Sequence, residues 1–261
     1  MTDQLSLRLE MDLPHPPASL RPMLARPLPA PFDSPDHFFE PSWGGLRALA
    51  IVGPAASEGA GEVVFRGEDG AVIAPIPPEL AGLGVRVAAR SAVLDGELVV
   101  VDAVGRADGA GLVARLRGEP GRPVAFLAFD LLHLDGRSLL SQPLERRRDL
   151  LRRVLRPGDE VLAVPAITGE GRALYDAVSA QGLAGMLARQ RSSPYLSGTR
   201  SRLWRFVGVA TDVQATSDVA ASDPDAEAEA GSTPVLALIR RLPLGLEDPI
   251  EPAPRPLPPA P

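Results

Sequence analysis

The chain of 261 residues contains no lysine; all 27 of its basic residues are arginine. That absence excludes a covalent lysyl intermediate, a Schiff base and a lysine general base anywhere in it. Arginine does not take over these roles, because its guanidinium stays protonated, with a pKa above about 12. Cysteine is absent too, which excludes disulfides and thiolate metal sites. No apolar run reaches the roughly 18 residues of a membrane span. The opening Met1-Thr2-Asp3-Gln4 lacks the basic and apolar regions of a signal peptide, so a cytoplasmic location is expected.

What is present fits a globular protein. The composition is 45% hydrophobic and 23% charged, and the length suits one large or two small domains with a real core. The net charge of −6 is uneven. Residues 211–261 hold nine acids against three arginines, and the first 210 residues balance at 24 of each. A balanced body lacks the overall basic footprint of a dedicated nucleic-acid binder. The acidic tail suits a protein-docking arm, since it repels phosphates.

Along the chain, residues 1–19 read as a flexible arm with Pro14, Pro16 and Pro17. Residues 20–210 form the globular body. Residues 211–261 read as an acidic, proline-rich and largely disordered tail. Within the body, Arg47–Gly53 and Glu62–Arg66 read as strands, and Gly67-Glu68-Asp69-Gly70 as a hairpin turn. Ser91–Asp102 reads as two strand halves interrupted by Asp95-Gly96-Glu97. Pro143–Val154 reads as an amphipathic helix with Leu144, Leu150, Leu151 and Val154 on its apolar face. Arg146, Arg147, Arg148, Arg152 and Arg153 then form a solvated remainder. Gly171–Gln181 reads as a helix closed by Gly182. His133 reads as a strand or turn residue, and His15 and His37 have no partner at metal-ligand spacing.

Five segments in order carry a resemblance: Pro22-Met23-Leu24-Ala25, Glu40-Pro41-Ser42-Trp43-Gly44-Gly45-Leu46-Arg47, Leu94-Asp95-Gly96-Glu97, Phe129-Asp130-Leu131-Leu132, and Tyr195 with Gly198, Arg200-Ser201 and Trp204. Together they resemble the adenylation domain of bacterial ATP-dependent DNA ligases. The resemblance implies an α+β fold of the DNA ligase/mRNA-capping nucleotidyltransferase type (ATP-grasp-like), with antiparallel sheets flanked by helices and the nucleotide between the sheets. It implies a nucleotide pocket at Glu40, Arg47, Glu97, Phe129 and Arg189, with Phe129 packing on adenine. No OB-fold is expected after the last motif, because the tail is too short and too polar.

The departures from the family pattern fall on its chemistry. The family's nucleophilic lysine is Ser42 here, and the neighbouring aspartate is Gly44. The motif arginine is Glu68, the metal-binding glutamate is Ala184, and the last two lysines are Phe206 and Gly208. Each lost charge-assisted phosphate contact costs on the order of 1.5–3 kcal/mol. ATP or AMP binding is therefore expected to be weak, and magnesium is not expected. No catalytic residue is assigned, Ser42 being a degenerate nucleophile position. The expectation is a ligase-like protein without ligase activity, a binding or scaffold module beside DNA or DNA-repair proteins. The alternatives are a working ligase with displaced catalytic residues and a non-covalent nucleotide sensor. No membrane association is expected, and the sequence sets no oligomeric state.

Overall fold

The computed structural model describes residues 17, 19–53, 61–103 and 105–209. The expected arm before residue 19, apart from Pro17, and the expected tail over 211–261 without an OB-fold lie outside the described residues.

The elements follow in order: β1 (Leu24–Pro27), β2 (His37–Ser42), β3 (Leu46–Val52), β4 (Val63–Arg66), β5 (Val72–Ile73), α1 (Leu83–Arg86), β6 (Ala92–Val99), α2 (Gly109–Leu116), β7 (Ala125–Leu134), β8 (Arg137–Ser138), α3 (Leu144–Val154), β9 (Val161–Ala163), β10 (Ile167–Thr168), α4 (Gly171–Ala180), β11 (Gly185–Gln190) and β12 (Arg200–Gly208). They build two sheets. The larger runs β5-β4-β3-β6-β7-β8 with β9 also paired to β7, and the smaller runs β1-β12-β11-β2-β10. Pairing is antiparallel except for β1 with β12 and β7 with β9. This is the expected α+β arrangement of antiparallel sheets flanked by helices. Among the described residues no helix is long and apolar enough to cross a membrane.

The central strands explain how the layers stack. Along β7, Phe126 and Ala128 join the core under α3 and the first helices, while Ala125, Leu127 and Phe129 join the core that includes α4. A strand covered on both faces reads as a continuous apolar run, as Ala125–Phe129 does. Pairing of β6 with β7 slips twice. The register jumps from Val93↔His133 to Leu94↔Leu131, and again from Asp95↔Asp130 to Gly96↔Ala128. Leu132 and Phe129 are left as extra residues, and such bulges bend a strand and re-aim its side chains. The expected pair of strand halves at Ser91–Asp102 is thus one continuous strand, and the irregularity lies in its pairing.

Two further expectations need correction. Residues Gly109–Leu116 form a helix that the sequence reading passed over, since Gly109 and Gly111 are poor helix formers. Asp108 caps it, accepting from the Gly111 N–H at 2.7 Å. On α3 the arginines are not all solvated. Arg147 and Arg148 are buried, while Arg146, Arg152 and Arg153 are exposed. Leu144, Arg147, Arg148 and Leu151 lie at helical spacing on one face, the face turned to β7.

Arg147 meets Asp130 in a two-pronged pair, Nε to Oδ1 and Nη2 to Oδ2 at 2.8 Å each. Its Nη1 also donates to the carbonyls of Gln142 and Ser193. Removing one member of such a pair strands a buried charge. Arg147→Ala is expected to lower stability by about 3–5 kcal/mol, whereas Arg153→Ala should stay within about 0.5 kcal/mol. Urea unfolding of both variants checks this, and equal midpoints would mean that the buried pair contributes nothing.

Candidate functional site

β2 carries alternate residues to opposite sides, so Phe38, Glu40 and Ser42 share one face. That strand ends beside β11, with Ser42 opposite Gly185. A turn through Trp43, Gly44 and Gly45 leads into β3. Gly44 has φ +82°, in the left-handed region that glycine tolerates. The Glu97 side chain on β6 closes this turn by accepting from the Gly45 N–H. Burial pushes the Glu97 carboxyl above its ordinary pKa, although the glycine N–H groups, Arg47 and Arg189 oppose the shift.

Behind the turn lies a cluster of charge and aromatic rings. Glu40 is 1% exposed and sits between two guanidiniums. Arg148 Nη1 bonds its Oε1, and Arg189 Nη1 stands 3.1 Å from its Oε2. Arg148 also donates to the carbonyls of Phe129 (3.0 Å) and Val164 (2.7 Å). Arg189 is fully buried, and none of its nitrogens finds an aligned hydrogen-bond acceptor. Its guanidinium instead lies over Phe129, 3.7 Å from the ring centroid, and over Trp204 at 4.6 Å. Burial pushes its pKa down to about 10 against the pull of Glu40, so it stays charged at neutral pH. Arg47 lies 4.3 Å over the same Phe129 ring. It grips Asp95 through two 2.7 Å bonds and donates to the Met23 carbonyl. Burial works to lower the Arg47 pKa, but Asp95 leaves it above the ordinary value. Tyr195 Oη donates to Asp95 at 2.7 Å and accepts from the Met23 N–H. Burial and then Asp95 push that phenol well above its ordinary pKa.

Glu40, Arg47, Phe129 and Arg189 therefore meet in one cluster. Glu97 reaches it through the glycine turn, and Ser42 lies two residues from Glu40 on the same strand. The sequence reading missed Asp95, Asp130, Arg147, Arg148 and Tyr195 as members. Asp95, Asp130 and Tyr195 stood inside the five segments that carry the resemblance. The two arginines were legible from their spacing to Leu144 and Leu151.

Residues 83–205 match the family described as ATP dependent DNA ligase domain. The multifunctional non-homologous end joining DNA repair protein LigD of Mycobacterium tuberculosis is 35% identical over 167 residues, covering 64% of this chain and 21% of that protein. DNA ligase C1 of Mycolicibacterium smegmatis is 31% identical over 211 residues, covering 73% of this chain and 57% of that protein. Among solved structures, a mycobacterial DNA ligase D complexed with ATP and MES matches with a TM-score of 0.62 at 30% identity. That match covers 73% of this chain and 60% of the other. The ligase domain of M. tuberculosis LigD also matches at 0.62 and 30%, over 72% of this chain and 59% of the other. The chain thus spans about a fifth of the LigD protein's length.

Two sheets with a glycine turn and a buried carboxylate–guanidinium cluster between them define a domain of the nucleotidyltransferase class. The chain carries a domain of the ATP-dependent DNA ligase family, matched directly over residues 83–205 and in fold by the ligase D adenylation domain.

Several side chains of this site are engaged with one another. The positions of two family acids face each other as Gly44 and Ala184, and a Cβ on Gly44 would stand 2.8 Å from that of Ala184. Phe206, at one terminal lysine position, lays its ring against Gly185, where a Cβ would stand 2.9 Å from the ring. Arg47 and Arg189 are committed to Asp95, Glu40 and the Phe129 ring.

The flat guanidinium of Arg189 is what the Phe129 and Trp204 rings receive, and an ammonium cannot lie flat on them. Arg189→Lys is expected to cost about 2 kcal/mol in chemical denaturation. An unchanged midpoint would mean that the cationic plane is not used.

Proposed function

We propose that this chain is a non-catalytic member of its family, a binding or scaffold module that works beside DNA-repair proteins. The observation that carries this reading is Ser42 at the position of the nucleophilic lysine, in a sequence with no lysine at all. A serine alkoxide needs a base to form, and the carboxylate of Glu40, two residues away on the same strand, is held by Arg148 and Arg189. The repair setting is supported by the mycobacterial relative, a non-homologous end joining DNA repair protein. The reading carries with it a cytoplasmic location, the compartment of bacterial DNA, and DNA or repair proteins as partners.

ATP or AMP is proposed as a weak, non-covalent ligand at most. Glu40, Arg47, Glu97, Phe129 and Arg189 would be its neighbours, and their mutual pairing competes with it. A role as a nucleotide sensor would require these pairs to open.

Intact-mass measurement after incubation with ATP and magnesium is expected to show no added AMP. Ser42→Lys alone is expected to leave that result unchanged, because the acids at Gly44 and Ala184 are still missing. An AMP adduct on the parent chain would overturn the proposal in favour of a working ligase with displaced residues. Calorimetric titration of ATP and of AMP, with and without magnesium, is expected to give dissociation constants no tighter than about 0.1 mM, roughly −5.5 kcal/mol. Micromolar binding would favour the sensor.

A further inference from the structure

The charge of this chain is sorted in space as well as in sequence. Segments 20–32 and 191–209 contain no aspartate or glutamate and hold Arg21, Arg26, Arg191, Arg200, Arg202 and Arg205. The fold pairs these segments, for β1 lies parallel to β12 at the edge of the smaller sheet, with Leu24 opposite Arg200 and Arg26 opposite Arg205. Arg26, Arg200 and Arg202 are exposed, and Arg205 is half-buried. Arg26 and Arg200 bond only backbone carbonyls, Arg26 Nε to Arg200 O at 3.2 Å and Arg200 Nη1 to Ala25 O at 2.8 Å. Among the described residues none of these four has an acidic partner, in contrast to the cations of the interior.

Four uncompensated cations at a sheet edge create a local positive field even in a protein whose body is neutral. They also guard that edge against pairing with another strand. Edge protection calls for charge but not for the absence of acids from both segments.

We infer that this arginine edge is the docking site of the chain's own acidic segment, residues 211–234. That segment starts two residues beyond Val209 and carries Asp212, Asp218, Asp223, Asp225, Glu227 and Glu229 with no arginine. Geometry allows the return. The nine residues of β12 cover about 30 Å, and the stretch from Thr211 to Glu229 reaches about 60 Å at full extension. Tethering raises the effective concentration of the segment to the order of millimolar, so weak charge pairing suffices to keep the edge covered. The segment then acts as an internal competitor: an external polyanion gains the arginines only by displacing it. This regulation does not depend on the catalytic state of the inter-sheet site.

The test uses the full chain and labelled heparin as the polyanion. In one variant Asp218, Asp223, Asp225, Glu227 and Glu229 become their amides. Fluorescence anisotropy is expected to show this variant binding heparin at least about 10-fold tighter than the parent near 0.05 M salt. Near 0.5 M salt, where screening acts over a few ångströms, the two should converge. Adding Arg202→Ser and Arg205→Ser to the amide variant is expected to remove the gain, with only a small change in thermal midpoint because Arg202 is exposed and Arg205 only half-buried. Equal heparin affinity of parent and amide variant would overturn the inference. So would a gain that survives loss of the two arginines, since the acids would then be acting through net charge alone.

Discussion

The structure depends on neutralising charge where water is absent. Glu40, Asp95, Asp130, Arg147, Arg148 and Arg189 are all nearly or fully buried, and Arg47 and Glu97 join them from the half-buried margin. An isolated buried ion costs several kcal/mol even after relaxation, so each must find its counterpart in place. Asp95 takes Arg47, Asp130 takes Arg147, and Glu40 is shared by Arg148 and Arg189. Those pairings tie α3 to β7 of the larger sheet and to β2 of the smaller, so that one helix is anchored to both sheets.

The choice of arginine matters in this arrangement. A guanidinium can face a carboxylate along its edge and an aromatic ring with its plane. Arg47 and Arg189 do both around Phe129, a ring set in place by a slip in strand pairing. The interior is only partly satisfied from within: Glu40 Oε2, Arg148 Nε and the three nitrogens of Arg189 are buried without an aligned hydrogen-bond partner, although Glu40 and Arg189 attract each other as charges.

Much of this was legible in the sequence, and the reasons differ by element. Strands β3 and β4 and the turn at Gly70 follow from short apolar runs bounded by small residues, a local signal. The antiparallel sheets flanked by helices came only through the family resemblance that the five ordered motifs carry, not from any local signal in them. Helix α2 was hidden behind two glycines, although Asp108 marked its start. Arg147 and Arg148 were read as solvated because charge was weighed above spacing; their offsets from Leu144 and Leu151 said otherwise. The pairing slips between β6 and β7 left no local trace, since a bulge is a relation between two strands. Nothing in the sequence showed that the Phe129 ring is covered by guanidiniums, which only three-dimensional proximity decides.

The contact between Gly44 and Ala184 ties two distant parts of the chain together at the turn. Each small residue occupies room that its opposite would need, and Gly44 holds a backbone conformation hostile to a side chain. Returning an aspartate to position 44 strains the turn while Ala184 stands against it, and a glutamate at 184 regains no partner while Gly44 remains. The two positions are coupled in volume, so a larger side chain at either one has to displace its opposite.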